Sequence, residues 1–285
     1  MLQLKTLPLA ELAQHAEEWD DLWQRSETRL PSRRFAGTQL WHQVFAPAAE
    51  FSAIIVENDG RFVAALPLVK DRTRWPLTIY RLPSNCTVGS GDLLIDSDCD
   101  VDAATQAIAR QICRLPGTIV ALEGIQIDAE RWKRLIAALR AEGRAMHISP
   151  GSDVGVVDIL HDWEAYTRSW SGNHRSSIKR SRSKLETEGE LRVERLRKAS
   201  DGELYEVLET CFAIENKGWK GEGGTSVLGT TGLHEYYHRE ARMMRDIGVL
   251  DLWLLKLDDR IIAFEYCHYS KGTCFSHKIS FDPDF

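Results

Sequence analysis

The sequence lacks the features that mark secreted and membrane-spanning proteins. Its six cysteines form no CxxC pair, so we predict neither a disulfide framework nor a zinc site, and we expect no metal. No apolar run approaches the roughly 20 residues that a bilayer-spanning helix needs. The N-terminus, MLQLKTLPLAELAQHAEEWDDLW, turns acidic where a signal peptide requires an apolar segment and a cleavage site. These absences predict a cytoplasmic protein without membrane insertion.

The chain also lacks the excess of positive charge that is typical of DNA-binding proteins. Its net charge is −6, which argues against wholesale polyanion binding and against DNA as a partner. Positive charge is nevertheless concentrated between residues 168 and 184, which hold six Lys/Arg and no acid. Arg175, Lys179 and Arg182 share one face of a predicted helix there. That face suits an anionic substrate, although a solvated helix face is the commoner outcome of such a run.

A phosphate-binding loop is absent as well, even though ENKGWKGEGGTS, residues 215–226, suggests one at first sight. A Walker A loop needs G-x-x-x-x-G-K-[ST] between a strand and a helix. Here no lysine follows the last glycine, a helix precedes the stretch, and G-x-G-x-x-G fails too. We interpret Gly218 as a helix C-cap, followed by a flexible loop that presents Trp219 and Lys220 for binding.

Hydrophobic periodicity and turn signals divide the rest of the chain into helices and strands. The predicted helices cover residues 11–24, 102–114, 128–142, 173–188 and 233–247, and two more begin at the N-cap Asp162 and at the capping box of Ser200. The predicted strands cover residues 51–58, 61–70, 77–82, 118–124, 145–148, 249–257, 260–269 and 273–281.

Two three-strand meanders, at 51–82 and 249–281, indicate an internal structural repeat. The sequence therefore predicts an α/β fold of two domains of one type in tandem, residues 1–155 and 156–285, with mixed, mostly antiparallel sheets flanked by helices. Because the chain stops directly after a strand, we expect the second domain to be incomplete at its C-terminus.

Glu215 stands where the helical pattern calls for an apolar residue. Counting from Leu204, the apolar stripe continues three, four, seven and eight residues on, and the next step reaches Glu215. Burial and the helix macrodipole would both raise the pKa of this carboxyl unless Lys217 or Lys220 pairs with it. A structural ion pair and a functional carboxylate carry equal weight at this point.

The last strand adds a lysine and a histidine to the candidates. Strict alternation places Lys278 on one face, where it could pair with Glu215 or face a cleft, and His277 on the other. Since its neighbours on that face are aromatic and aliphatic, we interpret His277 as a core histidine.

Four segments together resemble a known family. They are R-x-x-I-K-R at 175–180, F-A-I-E-N-K-G-W-K-G-x-x-G-T at 212–225, I-A-F-x-Y at 262–266 and H-K-I-S-F-D-P at 277–283. This string resembles the acetyltransferase branch of the GNAT superfamily associated with cellulose and exopolysaccharide synthesis, most strongly over 163–285.

The resemblance implies two tandem GNAT-like domains, an architecture shared with the Fem-type aminoacyltransferases. It also implies acyl transfer from a thioester or an aminoacyl-tRNA to an amine or hydroxyl. In such proteins the strand ending in K-x-x-x-D leads into a Ser-Pro-Gly turn and a helix, whose N-terminal amides take the pyrophosphate of coenzyme A. The sequence ends at Phe285, before any such turn, so cofactor-binding residues stay unassigned.

We therefore expect an acetyl-CoA-dependent N-acetyltransferase acting on an amino sugar or on a polysaccharide or cell-envelope precursor. The alternatives are a Fem-type transferase, the one hypothesis that involves tRNA, and a non-catalytic binding module of a polysaccharide synthesis assembly. The oligomeric state stays open. The candidate residues are Glu215 as the base or as the group that orients it, Lys278 and Asp282 as groups that shape the site, and Arg175, Lys179, Trp219 and Lys220 as acceptor-binding groups.

Overall fold

The computed structural model describes residues 2–71, 77–85, 87–116, 119–151, 153–159 and 162–285. Two sheets flanked by helices form a mixed α/β structure, which confirms the predicted fold class. The chain divides into two units. The first comprises Met1–Pro150, Glu235–Met243 and Ser270–Thr273, and the second comprises Gly151–His234, Met244–Tyr269 and Cys274–Phe285. The predicted domain boundary between residues 155 and 156 stays a prediction.

Six strands form the sheet of the first unit: β1 (Leu2–Pro8), β2 (Glu50–Asn58), β3 (Arg61–Asp71), β4 (Ile79–Arg81), β5 (Leu94–Ile95) and β6 (Ile119–Ala121). Their order is β1-β2-β3-β4-β6, and β5 pairs with β3. The first four strands pair antiparallel, whereas β4 and β6 pair parallel. Central β3 is buried along most of its length, because strands flank it on both sides and side chains cover both of its faces.

The helices of this unit are α1 (Leu9–Leu12), α2 (Ala16–Arg25), α3 (Phe35–Phe45), α4 (Val101–Arg114) and α5 (Glu130–Ala141). Asp100 caps α4 by accepting a hydrogen bond from the Ala103 N–H. Trp132 and Leu135 of α5 pack with Ile54 and Leu66 of the sheet in the hydrophobic core. The amphipathic faces that the sequence shows are thus the faces that the unit buries.

The second unit contains α6 (Trp163–Arg168), α7 (Gly172–Glu186), β7 (Leu191–Leu196), α8 (Asp201–Lys217), α9 (Trp219–Glu222), β8 (Leu250–Leu257), β9 (Arg260–Ser270) and β10 (Thr273–Phe281). The sheet order is β10-β9-β8-β7, so β10 is an outer strand. A further helix, α10 (Leu233–Asp246), has residues in both units.

Several local signals in the sequence are confirmed. Asp162 caps α6, and Ser200 forms a capping box with Glu203 at the start of α8. The predicted tight turns place Asp59 and Lys271 at positive φ, each followed by a glycine at positive φ. These caps and turns depend on residues at most four positions apart, so the sequence alone predicts them.

Other predictions were wrong. No strand forms at 145–148 among the described residues, and the helix predicted at 11–24 is interrupted by a 3₁₀ turn at Ala13–His15. Gly218 does cap α8, but in an extended conformation, and the short helix α9 follows it in place of a flexible loop. Residue 118, the first of the predicted strand 118–124, lies outside the described residues.

Within the described ranges, no helix combines the length and the apolar character needed to cross a bilayer.

Gly37 of α3 provides a test of packing in the first unit. A Cβ at this position would lie 2.3 Å from the carbonyl oxygen of Ser32. Because the obstacle is backbone, we expect Gly37→Ala to destabilise the protein by about 1–3 kcal/mol. Gly202→Ala in α8, where a Cβ meets open space, is the control and should be neutral or stabilise by up to about 1 kcal/mol. Denaturant unfolding of both variants measures this, and a Gly37→Ala protein as stable as wild type would contradict it.

Candidate active site

A buried ionic cluster forms where α8, α9 and β10 meet in the second unit. Glu215, in the last turn of α8, has none of its surface exposed. Its Oε1 atom accepts hydrogen bonds from Lys220 Nζ and Lys278 Nζ, both at 3.0 Å. Its Oε2 atom accepts one from the Val227 backbone N–H at 2.8 Å. We call these four residues the Glu215 cluster.

The two lysines of the cluster come from elements on either side of Glu215. Lys220 lies on α9 and also donates to the carbonyl oxygen of Ile279 at 2.9 Å, so it ties α9 to β10. Lys278 lies on β10 and is itself buried. A single carboxylate oxygen is therefore shared between two ammonium groups, which repel each other across it.

The pKa of Glu215 is lowered although its carboxyl is buried. Burial alone would raise the pKa, but the Val227 N–H and the ammonium groups of Lys278 and Lys220 outweigh it by stabilising the anion. A raised pKa is expected only for a Glu215 without a lysine partner, and Lys220 supplies that partner. Lys217, the other lysine considered, pairs elsewhere.

The pKa of Lys278 is also lowered. Burial of its ammonium is the main cause, and repulsion by Lys220 acts in the same direction, while attraction to Glu215 opposes both. Lys278 therefore holds its proton less tightly than an ordinary lysine. That property is the one required of a group that exchanges protons near neutral pH.

Asp282 forms a second ionic cluster next to the first. It is buried, and it accepts hydrogen bonds from Lys217 Nζ at 2.9 and 3.2 Å and from Arg260 Nη2 at 2.6 Å. Burial would raise the pKa of Asp282, but Lys217, the Asp284 N–H and Arg260 together lower it. The cluster fastens the end of β10 to α8 and to the first residue of β9.

The glycine-rich stretch is ordered by close backbone approach. A Cβ on Gly221 would lie 1.9 Å from the carbonyl oxygen of Asn216, so only glycine fits there. Buried Ser226 donates to Asn216 Oδ1 at 2.7 Å and accepts from the Gly229 N–H at 3.0 Å. Trp219 is 72% exposed, and the Lys220 ammonium lies 5.8 Å from the centre of its ring. The stretch thus presents an aromatic face beside the Glu215 cluster.

Two of the predicted acceptor-binding residues do not take part in these clusters. Arg175 and Lys179 lie on α7, all of whose residues are exposed or half-buried. Arg175 Nη1 donates to the backbone carbonyls of Thr167 and Arg168 at 3.2 Å, near the end of α6. Arg175 therefore caps a neighbouring helix.

His277 is exposed, so its interpretation as a core histidine was wrong. A buried histidine beside it is His268 of β9, whose ring centroid lies 4.3 Å from that of His277. Burial, with a smaller effect of His277, holds the pKa of His268 well below its ordinary value. On β10 both Ser276 and His277 are exposed, and Lys278 next to them is buried.

Sequence reasoning missed the Val227 N–H and Arg260. A backbone donor twelve residues from its acceptor leaves no pattern in side-chain types. Arg260 is a turn-flanking arginine like many others, and only the pairing of β9 with β10 brings it to Asp282.

Comparison with known proteins finds one family model that matches part of the chain. Residues 172–285 match the family model described as "Acetyltransferase (GNAT) domain", a range that contains both ionic clusters. The second half of the chain is therefore similar to GNAT acetyltransferase domains. No curated protein sequence matches the chain.

Several solved structures are similar in fold. A conserved protein of unknown function from Bacteroides thetaiotaomicron is 12% identical, with 100% of this chain and 81% of that chain covered and a TM-score of 0.48. A tandem GNAT protein from the clavulanic acid biosynthesis pathway is 13% identical, with 99% and 80% covered and a TM-score of 0.39. A Trypanosoma brucei acetyltransferase is 16% identical, with 54% and 100% covered and a TM-score of 0.33.

The ionised carboxylate of Glu215 should stabilise the fold in a pH-dependent way. We expect Glu215→Gln to cost on the order of 3 kcal/mol at pH 7, because it leaves Lys278 buried without a negative partner. The folded-state pKa lies below the ordinary 4.5, so this contribution is present above about pH 4.5 and is lost as the pH falls through the lowered value. The difference between wild type and variant should therefore shrink in acid.

Denaturant unfolding between pH 3 and 7 measures this difference. Glu222→Gln, an exposed glutamate of α9, is the matched control and should stay within about 0.5 kcal/mol of wild type at every pH. A difference for Glu215→Gln that is constant across this range would show that the carboxylate is not ionised in the folded protein.

Proposed function

We propose that the chain is an acetyltransferase that moves the acetyl group of acetyl-CoA to the amine of an amino sugar or of a polysaccharide or cell-envelope precursor. The observation that carries the proposal is the Glu215 cluster, in which a buried lysine of lowered pKa is held by a carboxylate. The cluster lies inside the range that matches the GNAT acetyltransferase domain. We place the reaction in the cytoplasm, where the free cysteines of this chain stay reduced.

The roles follow from what transfer to an amine requires. An ammonium acceptor must lose a proton before its nitrogen can attack a thioester carbonyl, and a donor must steady the oxyanion that forms. We assign the proton exchange to Lys278, whose pKa is lowered. Of the two roles that the sequence leaves open for Glu215, base or group that orients the base, we propose the second, because its lowered pKa makes it a weak base.

The remaining candidates bind or position. Asp282 fixes the end of β10 through Lys217 and Arg260. Exposed Trp219 offers a ring face on which a sugar ring can stack. Lys220, which lies beside it, would contact acceptor hydroxyls, and we propose that Arg175 and Lys179 contact anionic groups of a larger acceptor.

Acetyl-CoA supplies the thioester-bound acetyl group when it is bound. Its pantetheine arm carries amides, and the backbone groups of an outer strand can pair with amides in the manner of an added strand. β10 is such an outer strand, and its side chains at Ile279 and Phe281 are exposed. The residues at the end of β10 therefore fit this arm, and no described residue is assigned to the pyrophosphate.

The proposal predicts a defined pattern of kinetic losses. Release of coenzyme A from acetyl-CoA is measured against a panel of amino sugars. We expect Lys278→Met to lower kcat/KM at least about 100-fold, within the range typical of a lost general acid or base. Lys220→Met should mainly raise KM. Since the pKa of Lys278 is lowered, kcat/KM of wild type should rise as this lysine deprotonates, and Glu215→Gln should move that rise along the pH axis.

Lys198→Met, an exposed lysine of the same unit, is the control and should leave turnover within twofold of wild type. Circular dichroism confirms that each variant is folded. Unchanged turnover in a folded Lys278→Met protein would remove this lysine from the mechanism. Wild-type activity that depends on aminoacyl-tRNA would favour the Fem-type alternative, and acceptor binding without acetyl transfer would favour a binding module.

A further inference from the structure

Helices α6 and α7 carry an exposed cluster of aromatic rings. Trp163, Tyr166 and Trp170 pack on one another with ring centroids 5.5–5.9 Å apart, and His174 lies 4.8 Å from Trp170. Trp163 is 68% exposed, so the cluster presents a large indole face to solvent. An exposed aromatic patch of this kind marks an interaction site more often than an accident of folding.

The same segment is the most basic part of an acidic chain. Residues 165–185 hold six Lys/Arg and no Asp/Glu, while the whole chain has a net charge of −6. Helix α7 has no buried residue over its 15 positions. Arg182 pairs with Glu186 at 2.7 Å, one turn further on. Arg175 donates to backbone carbonyls near the end of α6, whereas Lys179, Arg180 and Lys184 lie exposed on a helix that is chemically unlike the rest of the chain.

Exposed aliphatic residues precede the aromatic cluster. In the described stretch 153–159, Val154, Val156 and Ile159 are 84%, 88% and 68% exposed. These side chains contribute nothing to binding a free anion, but they gain free energy when they leave water for an apolar phase. Within some thirty residues the chain thus exposes aliphatic, aromatic and cationic side chains in that order.

We propose that this segment, which we call the α6–α7 surface, docks the protein on a membrane surface that contains anionic phospholipids. The side chains of Arg168, Arg180 and Lys184, which are not assigned to the acceptor, lie at the phosphate and carboxylate head groups. Trp163 and Tyr166 lie at the level where indole and phenol rings collect in bilayers. The aliphatic side chains of 153–159 enter the boundary between head groups and acyl chains.

The layout of the rings favours a lipid surface over a single-stranded nucleic acid. Strand-binding proteins place aromatic faces along a basic groove, so that successive bases stack on them. Here the aromatic rings pack against each other, Trp170 edge-on against Trp163 at 88° and Tyr166 tilted at 43° to Trp163. Most of the cations follow on α7. The apolar side chains are therefore separated along the chain from the charged ones, as a lipid surface requires.

Vesicle binding tests the proposal without reference to catalysis. The whole chain is sedimented with phosphatidylcholine vesicles, with and without phosphatidylserine. The variant Arg168→Gln/Arg180→Gln/Lys184→Gln removes three cations that have no role in the proposed acceptor site. We expect it to partition about 100-fold more weakly onto the phosphatidylserine vesicles, because each Lys or Arg at such a surface contributes about 1 kcal/mol.

The control variant is Arg110→Gln/Lys133→Gln/Arg140→Gln, which changes net charge equally at exposed cations of α4 and α5. It should bind within twofold of wild type. Trp163→Ser should weaken binding several-fold and remove part of the fluorescence quenching by brominated lipids. Circular dichroism checks that every variant is folded, and added salt should weaken wild-type binding.

Three results would each overturn the proposal. They are equal binding to vesicles with and without phosphatidylserine, a loss in the control variant as large as in the Arg168→Gln/Arg180→Gln/Lys184→Gln variant, and tighter binding to single-stranded RNA than to phosphatidylserine vesicles. None of these results bears on the acetyltransferase assay, so the two proposals stand or fall separately.

Discussion

Burial of the Glu215 carboxylate is the constraint on which the arrangement of the second unit depends. An ionised carboxylate cannot leave water without partners that replace its hydration. Glu215 finds these partners on α9, on β10 and in the backbone at Val227. The chain just after α8 and the distant strand β10 must therefore meet at the end of α8.

Asp282 meets the same constraint in the same way, only a few residues from Lys278. Its partners are Lys217 and Arg260. Lys217 and Lys220 are three residues apart, yet Lys217 pairs with Asp282 and Lys220 pairs with Glu215. This is possible because α8 ends between the two lysines and the chain changes direction into α9. Each buried anion keeps a lowered pKa because it has its own cations. Burial lowers the pKa of Lys278, which holds Glu215 from β10, and this is why we propose it for proton exchange.

Local rules predicted the fold well and long-range pairing poorly. Capping at Asp162 and Ser200 depends on residues three positions apart, so the sequence shows it directly. Glu215 was found because a helix has a fixed period, and its burial follows from that period alone. On β10 burial does not alternate, because Ser276 and His277 are both exposed, and what covers each face of a strand decides its burial. The same reason explains His277, whose exposure could not be read from its apolar neighbours in sequence.

The glycines beside Glu215 show why composition alone misleads about function. A run of glycines with a lysine suggests backbone amides arranged around a phosphate, yet the requirement here is space. Gly221 packs directly against the Asn216 carbonyl. This close contact gives the tight turn after α8 that brings Lys220 back to Glu215. A side chain at Gly221 would push α9 away and leave a buried carboxylate with one cation fewer. The glycine and the buried charge are therefore parts of one requirement, and the exposed Trp219 is held in place as a consequence.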